Sequence, residues 1–401
     1  MTTFARESDL GSRFQFRSRP GCPAPTPERY PAVNGLSLQS NPLTAGQRRV
    51  AVIGAGCWGK EIVRTFAELG ALRAVCDSDP ARLALQPNGT VKHYGLVEDC
   101  LHDPDVSAVA IATPAVSHFE MVRSALQAGK DVFVEKPLAL TVRDGQELVR
   151  YATNSNRILM IGNVLRFHPA VDRLKDMIDA GELGRVEYVC SSRPSIDRLR
   201  AEENILWSLA SHEVSVILGL LGEQPTAVSC QGGDYVGRGV SDVTISQFQF
   251  AGGVRAQVFV NRLRPFKEQR LIVVGSDKMA VFDESAPNRL VTYPRRGREY
   301  AVPTAEEAPG EPVPLDTTAP MKAECQAFLT SLNTRRLSVS DGSEELRVLE
   351  VLDACERSLS NDGMRTMMQP PVLRRVHQPR YGRARNNDLQ PASAGMFGAP
   401  E

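Results

Sequence analysis

The chain has 401 residues, of which 42% are hydrophobic and 23% are charged, and its formal net charge is zero. This composition is typical of a packed globular protein, and the length allows two domains. The neutral balance gives no signal for a nucleic-acid or membrane partner, and no stretch is apolar enough to span a bilayer. The eight cysteines and six histidines show no zinc-site spacing and no C-x-x-C pair, so we expect free thiols, no bound metal and a cytoplasmic protein.

The two ends of the chain lack hydrophobic periodicity. Residues 1–47 are rich in proline, and residues 363–401 are rich in arginine and end in small residues and prolines. We predict a mostly disordered arm and a mostly disordered basic tail, since neither segment can bury much apolar surface. A transit peptide is the alternative for the arm, and Glu7, Asp9 and Glu28 disfavour it. Nucleic-acid binding is the alternative for the tail.

A glycine-rich turn joins the first predicted strand (49–53) to the first predicted helix (60–69). Gly54 allows the tight turn, Gly56 lets a pyrophosphate approach the backbone, and Gly59 lets the helix pack closely on the strand. The N-terminus of the helix then faces the negative charge of the phosphates. The turn therefore predicts a dinucleotide-binding loop.

The second predicted strand, over residues 72–77, ends in an acid. Asp77 follows Gly59 by 18 residues, which is close to the spacing of a carboxylate that binds the ribose hydroxyls of a dinucleotide. Such a carboxylate repels a 2′-phosphate, so we expect NAD rather than NADP. Arg82, a few residues later, leaves NADP open as the alternative.

Strands and helices continue to alternate as far as residue 167. After Asp77 the pattern predicts strands over residues 106–112, 131–134 and 158–162, and helices over residues 117–128 and 142–153. This alternation is typical of a parallel sheet with helices on both faces. We therefore predict a doubly wound Rossmann domain over residues 48–167.

The predicted strand over residues 131–134 runs directly into Glu135, Lys136 and Pro137. In an open α/β sheet, the carboxyl ends of the strands line the crevice where ligands bind. The ionisable pair is therefore predicted to lie where a bound cofactor presents its reactive end. Pro137 restricts Lys136 to extended geometry and limits where its amine can point.

The pattern changes between residues 168 and 362. Helices are predicted over residues 169–180, 208–221, 320–333 and 343–358, and strands over residues 185–192, 240–250, 254–261, 269–275 and 279–283. The turn at residues 251–253 predicts a hairpin between two of these strands. We predict an α+β domain with a mostly antiparallel, open-faced sheet and helices on the other face.

Three motifs of the first domain resemble one known family. They are the Gly-Ala-Gly-x-x-Gly turn at residues 54–59, Ala112-Thr113-Pro114 followed by Ser117-His118, and Glu135-Lys136-Pro137. With the order of the domains over residues 48–362, they resemble the glucose–fructose oxidoreductase/inositol dehydrogenase (Gfo/Idh/MocA) family. The resemblance implies an NAD-dependent oxidoreductase that associates as a homodimer or homotetramer.

Two segments are similar to a narrower group, the bacterial UDP-N-acetylglucosaminuronate 3-dehydrogenases. They are residues 162–169 (GNVLRFHP) and residues 200–213 (RAEENILWSLASHE). That group usually ends the second segment with Ser-Phe-Ala-Pro-His-Asp, where this chain has Leu209, Ser211 and Glu213 in place of Phe, Pro and Asp. The similarity implies a nucleotide-sugar substrate that is oxidised at its C3 hydroxyl.

The resemblance also implies roles for individual residues. Lys136 sits at the substrate hydroxyl, His212 shares the proton transfer, and Glu135 contacts the nicotinamide ribose or orients the lysine. General acid–base help is worth about 10²–10⁴ in rate, and an ammonium near the oxygen stabilises the developing alkoxide. The residues expected to contact NAD are Gly54, Gly56, Cys57, Trp58, Gly59, Asp77, Thr113, Pro114, His118, Glu135 and Lys136.

Substrate contacts are predicted for polar and aromatic residues in and around the two narrower segments. They are Asn163, Arg166, His168, Arg193, Arg200, Asn204, Trp207 and His212. The arginines can pair with a pyrophosphate or a carboxylate, since a guanidinium forks onto either group. The alternatives are a surface salt bridge for each arginine, a helix cap for His168, and core packing for Trp207 and His212.

Three other functions stay open. A ketosugar reductase in deoxysugar or natural-product biosynthesis would favour NADPH, which Asp77 disfavours. A glycosidase that uses bound NAD in a transient oxidation is disfavoured by the Asn-Ile-Leu-Trp sequence at residues 204–207. A non-catalytic, NAD-dependent regulator is disfavoured because Lys136 and His212 are both present.

Overall fold

The computed structural model describes residues 49–86, 89–194, 204–295 and 309–368. The predicted arm, most of the predicted basic tail and Arg200 lie outside these residues. Within the described part of the chain, no helix combines the length and the apolar character needed to cross a membrane.

The first sheet is a parallel sheet built from short, apolar strands. They are β1 (Val50–Ile53), β2 (Leu72–Cys76), β3 (Lys92–Tyr94), β4 (Ala108–Ile111), β5 (Asp131–Glu135) and β6 (Leu159–Gly162). In the described residues these six strands lie in the order β3-β2-β1-β4-β5-β6, with every neighbouring pair parallel. This is the strand order of a Rossmann fold, and the predicted doubly wound sheet is confirmed.

Helices cover both faces of the first sheet. They are α1 (Gly59–Glu68), α2 (Pro80–Leu83), α3 (Val97–His102), α4 (His118–Gln127) and α5 (Val142–Asn154). Because successive strand residues point to opposite faces, Val52 and Phe133 pack in one layer while Ile53 and Val134 pack in the other. Hydrophobic periodicity does not predict β3, α2 or α3, whose sequences are short and largely polar.

The second sheet follows the first in the chain. Its strands are β7 (Val186–Pro194), β8 (Ala227–Gly233), β9 (Val243–Gln249), β10 (Arg255–Asn261), β11 (Arg270–Gly275), β12 (Lys278–Asp283), β13 (Leu290–Pro294), β14 (Glu311–Pro312) and β15 (Thr366–Met367). Among the described residues they lie in the order β14-β13-β12-β11-β7-β10-β9-β8-β15. Only the β7–β10 pair is parallel there, so the mostly antiparallel sheet is confirmed. The edge strand β15 comes from residues that the sequence assigns to the tail.

Four more helices follow the first sheet in the chain. They are α6 (Pro169–Asp179), α7 (Ser211–Leu221), α8 (Pro320–Thr334) and α9 (Gly342–Leu359). A π-helical turn over Leu206–Ala210 leads directly into α7. Leu174, Ile217 and Leu352, from α6, α7 and α9, share a core with the inner face of the second sheet. The helices on one face of this sheet are therefore as predicted.

The helices α8 and α9 return to the first sheet. Phe328 of α8 packs in the same layer as Phe133, and the guanidinium of Arg335, at the end of α8, makes two hydrogen bonds to Asp131 at the start of β5. Asp341, which caps the N-terminus of α9, forms a β-bridge with Met160 of β6. Two late helices are thus fixed beside the strands that carry the predicted Glu-Lys-Pro motif.

Candidate active site

The three glycines in the loop after β1 have different structural roles. Gly54 has φ +94°, and a Cβ there would lie 2.8 Å from the carbonyl oxygen of Ala112. A Cβ at Gly59 would lie 1.9 Å from the carbonyl oxygen of Gly54, so α1 packs directly on the turn. At Gly56 the nearest atom to such a Cβ is 3.9 Å away, in Arg82. The backbone at Gly56 is therefore open to a phosphate, as a dinucleotide-binding loop requires.

Asp77 lies beside this loop at the end of β2, and its side chain is 7% exposed. Its Oδ2 accepts a hydrogen bond from the N–H of Ala55 at 2.7 Å, and its Oδ1 accepts one from the N–H of Asp79 at 2.8 Å. Arg82 Nη1 is 3.6 Å from Oδ2. The carboxylate is thus fixed where a ribose would lie, with a guanidinium at the distance of an ion pair.

The loop residues between Gly56 and Gly59 lie at the surface, whereas the residues after β4 divide between surface and core. Cys57 is exposed, and Trp58 is 44% exposed. Pro114 is exposed and Thr113 is partly buried, but His118 is only 1% exposed. The ring of His118 lies between the backbone carbonyl oxygens of Pro137 and Thr113, and its contact with the cofactor stays a prediction.

Glu135 and Trp58, both predicted to contact the cofactor, are brought together by the fold. The Nε1–H of Trp58 donates a hydrogen bond to Glu135 Oε1 at 2.5 Å. Burial raises the pKa of Glu135 to about 7, although the hydrogen bond from Trp58 and the charge of Lys136 oppose this shift. A carboxyl group that titrates near neutral pH therefore lies next to the predicted catalytic lysine.

Lys136 reaches from the first domain to the segment that holds His212. Its Nζ donates a hydrogen bond to the carbonyl oxygen of Ser208 at 2.7 Å, and the Lys136–Pro137 peptide bond is cis. His212 lies in the first turn of α7, four residues after Ser208. Lys136 and the segment of His212, which are far apart in sequence, are thus neighbours at the carboxyl end of β5.

The electrostatic environment of His212 keeps its ring neutral. Burial lowers the pKa of His212 well below its usual value of 6.5, and the positive charges of Lys136 and Arg193 lower it further. Its Nδ1 is buried and has no hydrogen-bond partner among the described residues. A neutral imidazole with a vacant ring nitrogen can accept a proton.

Arg193, at the end of β7, is held by an acid next to His212. Its Nη1 lies 3.1 Å from Glu213 Oε1, and Glu213 also accepts a short hydrogen bond from Ser191. Glu213 is 3% exposed, so this ion pair is shielded from solvent. The charge of Arg193 is therefore fixed at the site, and Glu213 supplies a carboxylate where the narrower group has aspartate.

Three other predicted substrate residues are engaged within the protein. Asn163 Nδ2 donates to Glu345 Oε2 at 2.8 Å, and His168 Nδ1 caps α6 by accepting from Ala170 N–H at 3.1 Å. Arg166 Nη1 donates to the carbonyl oxygen of Ser215 at 2.9 Å. A cap was the alternative for His168, and the structure shows that cap.

The remaining predicted substrate residues belong to the segment before α7. Asn204 Oδ1 accepts a hydrogen bond from Leu206 N–H at 3.1 Å, and Trp207 Nε1 donates to Glu356 Oε2 at 2.8 Å. Trp207 also packs against the core of the second domain, which was its alternative role. Their substrate contacts, like that of Arg200 outside the described residues, stay predictions.

Two buried carboxyl groups near the site were not predicted from the sequence. Glu324 of α8 is fully buried, and Glu345 of α9 is 2% exposed. Burial raises the pKa of Glu345 to about 7 and that of Glu324 well above its usual value, with the charge of Glu135 adding to the shift of Glu324. One sequence signal exists, because Glu324 stands four residues before Phe328 on the apolar stripe of α8.

Two family models match the chain. One, described as "Oxidoreductase family, NAD-binding Rossmann fold", matches residues 48–163, and the other, "GFO/IDH/MocA C-terminal domain", matches residues 171–281. An inositol 2-dehydrogenase of Rhodococcus erythropolis is 33% identical over 244 residues, which cover 57% of this chain and 69% of the relative. The chain belongs to the Gfo/Idh/MocA oxidoreductase family. The predicted NAD cofactor and the oxidoreductase class are confirmed.

Another Gfo/Idh/MocA protein similar to this chain is named for a nucleotide sugar. The UDP-N-acetylglucosamine 3-dehydrogenase of Acidithiobacillus ferrooxidans is 27% identical over 304 residues, which cover 75% of this chain and 94% of the relative. A solved structure of that enzyme, at 24% identity, has a TM-score of 0.68 and covers 79% of this chain and 99% of its own. The structural likeness supports the family fold.

Proposed function

We propose that this Gfo/Idh/MocA protein oxidises the C3 hydroxyl of a nucleotide-linked amino sugar or uronic acid, of the UDP-N-acetylglucosaminuronate type, to a 3-keto sugar with NAD. The class of reaction, dehydrogenation of a sugar or polyol, is that of the named relatives. The observation that carries the proposal is the hydrogen bond from Lys136 to Ser208, which joins the lysine of the first domain to the segment of His212.

The described residues fit a bound dinucleotide. The backbone at Gly56 is open, the N-terminus of α1 points at the loop, and Asp77 offers its carboxylate at the end of β2. Glu135 ends β5 directly before Lys136, and it accepts a hydrogen bond from Trp58. When bound, NAD supplies the acceptor for the hydride that leaves the sugar carbon.

The protein has to remove the hydroxyl proton and stabilise the oxygen as it loses that proton. The proton passes to the ring of His212, which is kept neutral by burial and by two adjacent positive charges. Lys136 lies next to the same oxygen, and its ammonium stabilises the developing negative charge. General acid–base help contributes about 10²–10⁴ in rate, and one donor that stabilises a developing oxyanion contributes about 10²–10³.

An anionic substrate is favoured by the fixed charge of Arg193. A guanidinium that lowers the pKa of His212 lies within electrostatic reach of the reacting hydroxyl. Glu213 holds it in place, and a sugar carboxylate or a pyrophosphate would add a second partner. A neutral polyol would leave this charge without a role in binding.

A polyol of the inositol type is the second candidate substrate. It is favoured by the 33% identity to an inositol 2-dehydrogenase. The two candidates differ in their need for Arg193, so Arg193→Met should weaken the binding of an anionic nucleotide sugar strongly and the binding of an inositol little.

The test is a substrate panel with the purified protein. NAD and a series of UDP-sugars, UDP-uronates and inositols are mixed with the enzyme, and NADH absorbance is followed, with a 2-oxoacid added to regenerate cofactor that stays bound. We expect turnover with a nucleotide sugar and a product oxidised at C3. Turnover only with inositols would overturn the nucleotide-sugar assignment. Release of a free glycoside without net NADH would favour the glycosidase.

A substitution of Lys136 tests its proposed catalytic role. Lys136→Met should abolish turnover and leave NAD binding intact, whereas Lys175→Met, in α6, should leave both unchanged. Turnover of the Lys136 variant at the rate of the unchanged protein would contradict the proposed role of the lysine.

Self-association is part of the same proposal. The outer face of the second sheet carries partly exposed apolar side chains, among them Tyr188, Phe259, Ile272 and Val281. A second copy of the chain would cover this face, in a homodimer or homotetramer. Light scattering should give a dimer or tetramer mass, and Ile272→Glu should shift that mass to the monomer.

A further inference from the structure

The indole of Trp58 joins two parts of the first sheet that are far apart in sequence. Its Nε1–H donates a hydrogen bond of 2.5 Å to Oε1 of Glu135, across 77 residues. Trp58 belongs to the glycine-rich loop after β1, whereas Glu135 ends β5. Because β4 lies between β1 and β5, the two strand ends are about 10 Å apart. The side chain thus crosses the edge of the sheet at which a dinucleotide is expected to bind.

The backbone of Trp58 is held by the first turn of α1. Its carbonyl oxygen accepts a hydrogen bond from the N–H of Glu61 at 3.0 Å. Trp58 directly precedes α1 and has helical backbone angles, with φ −88° and ψ −41°. The turn before it is closely packed, since a Cβ at Gly59 would collide with the carbonyl oxygen of Gly54. The indole is therefore attached to a well-defined part of the dinucleotide loop.

A glycine makes room for the acceptor of this hydrogen bond. Gly162 of β6 is the residue that pairs with Glu135 across the sheet. A Cβ on Gly162 would lie 2.9 Å from Glu135 Oε1 and 3.1 Å from Oε2. The carboxylate therefore lies against the backbone of β6, and the absence of a side chain at Gly162 allows it to take this position.

Ionisable groups also face the carboxyl group of Glu135. Burial raises its pKa to about 7, and the hydrogen bond from Trp58 and the charge of Lys136 oppose this shift. Glu324 and Cys325 face it from α8, where burial raises the pKa of both groups and the charge of Glu135 adds to the shift. Trp58 is a neutral donor, so it gives the carboxylate a direction without adding a charge.

Tryptophan is suited to this position by its hydrogen-bonding group. The indole N–H only donates, and an ionised carboxylate only accepts. Hydrogen bonds to a charged group are shorter and stronger than those between neutral groups. Trp58 is 44% exposed, so burial of its ring does not by itself account for a large aromatic side chain in this loop. The contact with Glu135 gives that side chain a defined orientation.

We propose that Trp58 is a positioning residue, which uses its indole N–H to fix the carboxylate of Glu135 beside Lys136. The loop that is expected to bind the phosphates of the cofactor thereby sets the geometry next to the lysine that is expected to meet the substrate. Trp58 acts on the reaction through Glu135, and a direct contact between Trp58 and the cofactor is not required for this role.

The first experiment reads the hydrogen bond itself and needs no turnover. In ¹⁵N-labelled protein the two tryptophans give two indole N–H signals, and the signal of Trp58 is the one absent from Trp58→Phe. We expect Glu135→Ala to move this signal upfield and to leave that of Trp207 in place. Glu356→Ala, which removes the acceptor of Trp207, is the matched control and should do the reverse. An unmoved Trp58 signal in Glu135→Ala would overturn the contact.

The second experiment measures the effect of the indole on the acid. Because its hydrogen bond favours the ionised carboxylate, Trp58→Phe should raise the pKa of Glu135 above about 7. The variant keeps an aromatic ring at a largely exposed position, so we expect it to fold. A pH titration of the Glu135 carboxyl carbon by ¹³C NMR measures this pKa, and Trp207→Phe, the same change at the other tryptophan, should leave it unaltered. An unaltered pKa in Trp58→Phe would overturn the role of the indole.

The third experiment connects the contact to catalysis, and this part rests on the proposed function. Misplacement of a catalytic group by about 1 Å can cost about 10²-fold in rate, so we expect the kcat of Trp58→Phe to fall by about tenfold to 10²-fold, with the Kd for NAD changed less than about threefold. In a Glu135→Ala background the same change should have no further effect on kcat, because the acid through which it acts is missing. Equal losses of kcat in both backgrounds, or loss of NAD binding in proportion to kcat, would overturn the positioning role.

The two proposals can fail separately. If Lys136→Met keeps full turnover, the proposed catalytic role of the lysine fails, while the indole signal and the pKa of Glu135 still decide whether Trp58 fixes the acid. If Lys136→Met is inactive but Trp58→Phe keeps normal kcat, the catalytic role of the lysine stands and the positioning role of Trp58 is overturned.

Discussion

The guanidinium of Arg166 occupies the space that a side chain at Gly219 would need. A Cβ on Gly219 would lie 1.1 Å from Arg166 Nη1 and 1.9 Å from Cζ. The same Nη1 donates to the carbonyl oxygen of Ser215, so the arginine lies flat against α7, one turn from the N-terminal turn that holds His212. The missing side chain at Gly219 therefore fixes where this predicted substrate residue can lie.

Gly219→Ala should move Arg166 away from α7. Alanine is favoured over glycine in a helix by about 1 kcal/mol, but a lost hydrogen bond to a charged group costs about 1.5–3 kcal/mol. We expect the free energy of unfolding, measured with urea, to fall by about 1 kcal/mol. In an Arg166→Ala background the same change should instead raise it by about 1 kcal/mol. The same sign in both backgrounds would contradict the contact.

The pKa of His212 should report the charge of Lys136. Because the ammonium disfavours the protonated imidazole, Lys136→Met should raise the pKa of His212, although burial keeps it below the usual 6.5. The measurement is a pH titration of the His212 ring signals by NMR. Lys175→Met serves as the control and should leave the titration unchanged. An unchanged titration in Lys136→Met would mean that the two groups do not interact.

Glu324→Met should stabilise the protein. Neither carboxyl oxygen of Glu324 has a hydrogen-bond partner among the described residues, and the side chain is fully buried. An unpaired buried polar group costs about 1–3 kcal/mol, so its replacement should raise the free energy of unfolding by about that amount. Glu324→Gln, which keeps a polar group of the same shape, should give little gain.

The gain from Glu324→Met should also grow with pH. Burial raises the pKa of Glu324 above 4.5 in the folded state. The folded protein then keeps a proton that the unfolded chain releases, so the stability that this proton provides is fully present below the unfolded pKa and is lost as the pH rises through the folded pKa. Urea unfolding at about pH 5 and about pH 8 should show the larger gain at the higher pH. A gain that is equal at both values would argue against a protonated Glu324.

Asp77→Ser should change the preference between the two dinucleotides. The variant loses a carboxylate that can bind ribose hydroxyls, and it removes one of the two acids beside Arg82, which lies 3.6 Å from Asp77 and 3.4 Å from Asp79. We expect weaker NAD binding and stronger NADP binding, since the carboxylate that would repel a 2′-phosphate is gone and the guanidinium of Arg82 can pair with that phosphate. Calorimetric titration with each dinucleotide measures both effects. Glu68→Gln, at an exposed acid of α1, is the control, and an equal change there would point to a general effect on the first domain.

Local patterns were sufficient to predict which candidate site residues lie at the ends of strands. The three glycines, Asp77 and Lys136 follow directly from the alternation of buried strands and helices, because strand order and direction decide which residues reach the crevice. Local patterns alone did not predict a role for His212, since its position in an apolar helix was also compatible with core packing. The prediction that His212 is catalytic depended on the resemblance of the surrounding segment to a known family.

The residues that were missed come from helices that return to the site late in the chain. Glu324 and Glu345 lie in helices that were predicted correctly, but periodicity does not say that these helices dock beside β5 and β6. The strands β8, β13, β14 and β15 were missed because they are short or polar, and they form only as neighbours of longer strands. Arg166 was predicted to bind substrate, and its packing on Gly219 depends on a contact between two separate segments.

The return of α8 to the first sheet has a consequence for the way the protein is made. Arg335 binds Asp131 across 204 residues, and Phe328 covers Phe133 in the core of the first sheet. A ribosome adds about 5–20 residues per second, so the nascent first sheet waits roughly 10–40 s for the helix that covers it. During this interval an apolar layer is exposed, and we expect chaperones to bind the nascent chain there. The first domain reaches its final form only when α8 has been synthesised.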